Sequence, residues 1–300
     1  MRIEDLQSSL AHLPDLEGWW RADDLNGTEG QLREMLASRT ESQKSESIAI
    51  LSYLARVRAL RGDPSEARAY LNQAEVLIAT AKIEPAAELR YLLELGRVLT
   101  LSRSPQKASS AFHQAWNLAV QTGQDFFAID AAVMLFTILP LKSQDAWLQQ
   151  ALQLALESKN PKAKLWLERL NYLTGWQDYD QRRYEEALSR FETAIAQMPL
   201  DSAKEDSLPL FWSKGRALRA LGRVPEALAL QMSILDRMNH LGLVNGHVYL
   251  EVAECKQLIQ DLTQARTFFE MAHTALSTNA WFVDNRSDEL KRMQYLFKKR

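Results

Sequence analysis

A pattern of small and bulky residues recurs six times along this chain, at intervals of 36 to 43 residues. One copy runs Leu92, Leu95, Gly96 and Leu99, then Ala108, Phe112 and Ala115. A second runs Gly175, Ala187, Phe191, Ala194 and Pro199, and a third Tyr249, Ala253, Ala265, Phe269 and Ala272. Each of these three copies sets a small residue in one helix beside an Ala in the next, with an aromatic residue four places further on. A fixed period of this size marks stacked helical hairpins, because one hairpin cannot bury its apolar face alone and must lean on its neighbours. Arrays of that kind offer surfaces for binding rather than pockets for chemistry.

The segments between punctuation read as helices. Leu51, Leu54, Ala55, Val57 and Leu60 recur at three- and four-residue spacing, a helical stripe rather than the alternation of a strand. Gly62-Asp63-Pro64-Ser65-Glu66 sets an Asp at the N-cap, Pro at the first helical position and Glu soon after, which starts a helix. Ser104-Pro105 repeats the device, and Gly222-Arg223-Val224-Pro225 is a looser version.

These residues resemble the tetratricopeptide signature, Trp-x2-Leu-Gly-x2-Tyr in a first helix, Ala-x3-Phe in a second and a closing Pro. With repeats starting at Ile48, Leu89, Asp125, Glu168, Leu208 and Gly246, the small residue of the first helix is Ala55, Gly96, Ala132, Gly175, Gly215 or Ala253. The second-helix Ala is Ala67, Ala108, Ala187, Ala227 and Ala265, and only the third repeat departs, with Gln144. Small residues are needed there because the two helices of a hairpin cross closely. The resemblance covers about residues 48–278, with spacings above the usual 34 residues. The chain is thus similar to long-helix bacterial proteins built of such repeats and nothing else. It implies an all-α, right-handed α-solenoid of about six hairpins with helical caps. Residues 1–47, with Leu6, Leu10, Leu13, Leu16, Trp19-Trp20 and a short helix around Leu32–Leu36, read as the N-terminal cap. Residues 279–300 read as a terminal capping helix with Trp281, Leu290, Met293 and Leu296 on its buried side. End repeats need such covers over otherwise bare apolar faces.

Composition narrows the classes. A net charge of −2 argues against a general binder of nucleic acid or anionic membrane, which needs a basic excess. One cysteine, Cys255, precludes an internal disulfide and fits a cytoplasmic chain. No secretion signal opens it, and the apolar stretch 126–141 is broken by Asp130 and Pro140 and too short to span a bilayer. Five scattered histidines show no metal-ligand spacing, His113 reads as a packing residue, and Asp178-Tyr179-Asp180 as solvated helix-end charge. No nucleophile elbow, phosphate loop or dinucleotide fingerprint occurs, so the expectation is no enzyme, no metal and no cofactor.

In tetratricopeptide arrays the first helices line the concave surface. Carried onto this sequence, that implies a groove of Arg56, Arg90, Arg97, Phe126, Arg169, Tyr172, Trp176, Tyr179, Trp212, Arg216 and Arg219. Arg offers a fixed fork of donors to carboxylates, and Tyr or Trp offers flat area at low entropic cost. The expected partner is a protein or peptide with acidic and apolar side chains. The chaperone-tail carboxylate clamp known in some arrays is not reproduced, since Ser52 and Leu93 stand beside Arg56 and Arg97. A competing account has the arginines pairing with Glu94, Asp130 or Glu251. The leading function is a binding scaffold. The alternative is a regulator whose solenoid changes curvature on sensing a peptide or small ligand. Oligomeric state stays open.

Overall fold

The computed structural model describes residues 24–40, 42–198 and 208–298. Leu6, Leu10, Leu13, Leu16, Trp19, Trp20 and Pro199 lie outside them. The described residues contain no strand, and the chain divides into two compact units, Met1–Leu167 and Glu168–Arg300.

The first unit holds α1 (Leu25–Ala37), then the hairpins α2 (Lys44–Leu60) with α3 (Pro64–Thr80), α4 (Pro85–Leu101) with α5 (Pro105–Thr122), and α6 (Asp125–Ile138) with α7 (Leu141–Glu157). A 3-10 turn at Pro161–Trp166 closes it. The second unit holds α8 (Leu167–Asp180) with α9 (Tyr184–Ala196), α10 (Leu208–Ala220) with α11 (Val224–Leu241), and α12 (Gly246–Leu258) with α13 (Leu262–Leu276). Two last helices follow, α14 (Ala280–Asn285) and α15 (Ser287–Lys298), where one was expected. Helices α2 and α4 begin a turn before Ile48 and Leu89, which accounts for part of the long repeat period.

Five hairpins close on the same turn. The residue after the first-helix C-cap is left-handed in each: Gly62, Arg103, Arg182, Gly222 and Gln260, with φ of 79°, 55°, 62°, 77° and 65°. The next amide donates five residues back, as in Asp63 N to Arg58 O at 2.9 Å and Ser104 N to Leu99 O at 2.9 Å, satisfying carbonyls that a helix end leaves open. Asp63 caps α3 by accepting from Glu66 N at 3.0 Å, whereas Ser104 caps α5 with no side-chain bond. The third hairpin turns differently. Leu139 precedes Pro140, which disfavours helical backbone, and it is extended at ψ 158°. Gln144 then folds back, its Nε2 donating to Leu139 O at 2.7 Å. The departure from Ala at this place therefore accompanies a different turn.

The small first-helix residues are where the hairpin helices cross. A Cβ on Gly96 would stand 2.4 Å from the Phe112 ring, and one on Gly175 2.6 Å from Phe191. Both rings are fully buried, and burial of a Phe contributes roughly 2–3 kcal/mol. In the fifth hairpin the bulky place is Gln231, also buried, whose Nε2 donates to Trp212 O at 3.2 Å. At the first unit's start, α1 docks through Leu32 onto Ile50, Tyr53, Leu54 and Val57. Glu29 joins it to α2 by pairing with Arg58 and Arg61. At the second unit's end, Met293 of α15 is buried against α13, with Leu290, Leu296 and Phe297 packed partly buried around it.

Candidate functional site

The residues expected to line a groove separate into two groups, one in each unit. In the first unit Arg56, Arg90, Arg97 and Phe126 are only 1–2% exposed. They are interior rather than lining an open face, and the cause lies on the next first helix. Arg56 Nε donates to Glu94 Oε2 at 2.9 Å while a terminal nitrogen takes Oε1. Arg97 bonds the same carboxylate and reaches Asp130 beyond it. Burial draws the Glu94 carboxyl upward, but Arg56 and Arg97 outweigh it and hold the group below the usual carboxylate range. Arg90 lies over the rings of Tyr53 at 4.7 Å and Phe127 at 5.1 Å. Phe126 packs against Phe127 and Trp166 at 5.5 and 5.8 Å.

These pairs follow a rule. Counted from the repeat starts, Arg56, Arg97 and Arg216 each stand at the ninth place of their repeat. Glu94, Asp130 and Glu251 each stand at the sixth place of the repeat that follows. Every ninth-place Arg in the chain reaches that sixth-place acid, so three ionic rungs join repeat one to two, two to three and five to six. Between repeats four and five the places hold Trp176 and Ser213, and the contact is aromatic, Trp176 on Trp212 at 5.6 Å.

The rung in the second unit is built differently. Glu251 is buried on α12, and Arg219 of α10 grips it at two points, Nε to Oε2 at 2.7 Å and a terminal nitrogen to Oε1 at 3.1 Å. Burial works against the charged guanidinium of Arg219, yet Glu251 overrides this and raises its pKa. Arg216 stands alongside, its Nε 2.9 Å from Oε1 but not aligned for a hydrogen bond. Its guanidinium lies among three rings, 5.5 Å from Trp176, 5.3 Å from Tyr179 and 5.1 Å from Trp212. The side chain remains 30% exposed.

Around this cation the rings continue. Tyr172 meets Trp176 edge-on at 6.4 Å, Tyr179 meets Tyr184 at 5.1 Å, and Trp212 meets His247 at 5.8 Å. The Trp212 indole also donates to His247 O at 3.3 Å, fixing that ring against α12. Burial raises the Tyr179 phenol above its ordinary pKa. Arg169 is half-buried in the first turn of α8. Six predicted residues, Tyr172, Trp176, Tyr179, Trp212, Arg216 and Arg219, are thus brought together on α8 and α10, and none is fully buried. Two cations over one carboxylate leave the face with one surplus positive charge, since Glu254 is taken up by Arg292 of α15. Such a face can accept an anionic group beside apolar surface. Glu251, the anchor of the arrangement, was visible in the sequence only as an acid that an arginine could use.

Elsewhere, Asp178 is buried and paired with Arg183 rather than solvated, while Asp180 is exposed. His113 Nδ1 donates to Ser109 O at 2.7 Å, and the ring meets Trp147 edge-on. The Cys255 thiol is buried, and that burial pushes its pKa up to about 12. Among the described residues no cluster of His, Cys, Asp or Glu is placed to hold a metal, and no helix is long and apolar enough to cross a membrane.

No known family profile matches the chain, and no curated protein sequence is similar to it. Solved structures are similar. The apo form of RapI superposes with a TM-score of 0.68 at 11% identity, over 99% of this chain and 81% of that one. The apo form of the quorum sensor NprR from B. thuringiensis gives 0.63 at 14%, over 98% and 80%, and NprR in complex with its cognate peptide NprX gives 0.55 at 15%, over 99% and 84%. The signal transduction ATPase with a tetratricopeptide repeat sensor from Pyrococcus horikoshii gives 0.67 at 14%, over 89% of this chain but 41% of that one. Identities this low show the fold alone, and the fold is an all-α tetratricopeptide-type array.

Proposed function

We propose that this chain is a non-enzymatic protein- and peptide-binding module of the cytoplasm, and that its second unit binds through the face carried by α8 and α10. The observation behind this reading is the half-open cluster of Trp176, Tyr179 and Trp212 around Arg216, with Glu251 and Arg219 beneath. A peptide carrying acidic and apolar side chains complements it. The rings give flat apolar contact, and the surplus positive charge gives the acid a partner. Residues 1–47 and 279–300 serve as caps, leaving 48–278 as the array.

A second reading has a specific observation in its favour. NprR, one of the similar structures, is a quorum sensor and was solved with its cognate peptide. By that analogy of fold, the peptide held by this chain is a signal and its binding alters the packing between successive hairpins.

Panning a phage-displayed random peptide library on the purified protein tests the main reading. Selected peptides are then titrated by calorimetry against wild type and Trp212→Leu, which keeps apolar bulk but removes the flat ring. Affinity is expected to fall about tenfold in the variant, the loss of one well-placed aromatic contact. Equal affinity would move binding to another surface, and a library with no enriched peptide would sink the peptide-binding reading.

A further inference from the structure

The three ionic rungs are the same two places of the repeat used three times, so the differences between them are informative. In the first two, the ninth-place arginine is consumed. Arg56 spends two nitrogens on Glu94, Arg97 spends its two terminal nitrogens on Glu94 and Asp130, and their side chains are 2% and 1% exposed. In the third, a second arginine one turn on has taken the carboxylate. Arg219 satisfies both oxygens of Glu251, and Arg216 is left with its Nε merely adjacent. Among the described residues neither terminal nitrogen of Arg216 donates a hydrogen bond, and the side chain is 30% exposed.

A free flexible arginine would sweep through solvent and lose entropy on binding anything. Arg216 is instead held in place by three rings at 5.1–5.5 Å and by the charge of Glu251 behind it. Stacking on aromatic faces fixes the plane of a guanidinium without using its hydrogen-bond donors. The result is a cation whose position is set and whose outward edge, two parallel N–H groups, is unspent. That edge matches a carboxylate in two-point geometry.

Building on the peptide-binding reading above, we propose that Arg216 is the receptor for a ligand carboxylate, and that Arg219 with Glu251 is the internal pair that frees it for this task. The carboxylate comes either from an Asp or Glu side chain or from the free C-terminus of a peptide. In both cases the apolar residue beside it lies against Trp212 or Trp176. Arg56 and Arg97, although at the same place of their repeats, take no part, because they are buried and paired with Glu94 and Asp130.

The test uses the full-length protein and an array of random decapeptides. Each sequence is synthesised with a free C-terminal carboxylate, with a C-terminal amide, and with its Asp and Glu replaced by Asn and Gln. Binding is compared for wild type, Arg216→Gln and Arg216→Lys. Because Arg219 still pairs with Glu251, Arg216→Gln should keep the wild-type circular dichroism spectrum, and Arg216→Lys keeps the charge should that variant misfold. Removing the relevant carboxylate is expected to weaken binding to wild type by about tenfold to a hundredfold, the range for losing charge-assisted hydrogen bonds. Arg216→Gln should show the same loss, and no further loss when both changes are combined. Arg216→Lys, a point charge without the fork, should recover only part of it. Sensitivity to the amide alone assigns the C-terminus, and sensitivity to Asn and Gln alone assigns a side chain. Peptides that bind wild type but ignore the carboxylate, or that lose the same affinity with it in Arg216→Gln as in wild type, overturn the role of Arg216 and leave peptide binding standing. Failure of any peptide to bind wild type overturns both.

Discussion

Replacing Glu94 by Gln separates a structural rung from a surface ion pair. In the first unit this one carboxylate, fully buried, holds two guanidinium groups that are 2% and 1% exposed. Losing the charge takes the Glu94 anion from both Arg56 and Arg97, of which Arg97 keeps Asp130. Breaking a buried pair from one side costs about 3–5 kcal/mol, because the surviving charge stays desolvated. The Gln carbonyl still accepts one hydrogen bond, so the lower end applies, about 3 kcal/mol. For a unit of this size that corresponds to a fall in Tm of roughly 6–12 °C. Urea unfolding followed by far-ultraviolet circular dichroism gives the loss, and hydrogen exchange resolved by peptide should place it in α2 and α4. The control replaces the whole network, with Arg56→Met, Glu94→Leu, Arg97→Met and Asp130→Leu together. Apolar replacement of complete buried networks is often neutral or stabilising, so this fourfold variant should be more stable than the single one. A single-variant loss below about 1 kcal/mol, the range of solvated pairs, or a fourfold variant less stable than Glu94→Gln, would refute the reasoning.

Two further outcomes follow from the same helices. Gly96→Ala puts a Cβ 2.4 Å from the Phe112 ring, and overpacking of about 1–3 kcal/mol should outweigh the roughly 1 kcal/mol that Ala gains over Gly in a helix. Phe112→Leu should relieve it, as Ala55 and Ala132 already stand in register with Leu71 and Leu148, and strictly additive effects in a double-mutant cycle would count against the close crossing. Acid should also weaken the first unit. The Glu29 and Glu94 carboxyls are pulled upward by burial, yet their arginines hold both below the ordinary value of 4.5. Their stabilisation is full above that value and is lost as pH falls beneath it, so Tm should drop progressively from about pH 4.5 downward, with a shallower slope in Glu94→Gln.

The hairpins were legible because their determinants are local. Small residues at the crossing and Gly or Asp-Pro at the turns act within some 20 residues of one another, and each maps onto a helix boundary or a buried contact. Gln144 flagged the one hairpin whose turn differs. The candidate face was harder to read. Counting places along the first helices puts Arg56, Arg97 and Arg216 on equal footing, since all three stand at the ninth place. Whether such an arginine faces solvent is decided 33 to 38 residues away, by the sixth place of the next repeat. A second arginine can also compete for that acid, as Arg219 does. The acids themselves were visible in the sequence, but nothing local says that a Glu on one hairpin reaches its neighbour's arginine.

The ionic rungs bear on how such a chain can grow. Repeat arrays are commonly pictured as interchangeable bricks, lengthened by copying any one of them. Here the second repeat alone carries both halves of the rule, Glu94 at its sixth place and Arg97 at its ninth. A tandem copy of it would meet Arg56 on one side and Asp130 on the other, with every charge answered. A copy of the first repeat would set Tyr53 where Arg56 needs an acid, and a copy of the third would set Asp130 against Val133. Either would set a buried charge opposite a place that carries no charge of the other sign. The first unit is therefore a sentence with fixed first and last words, extensible only in its middle.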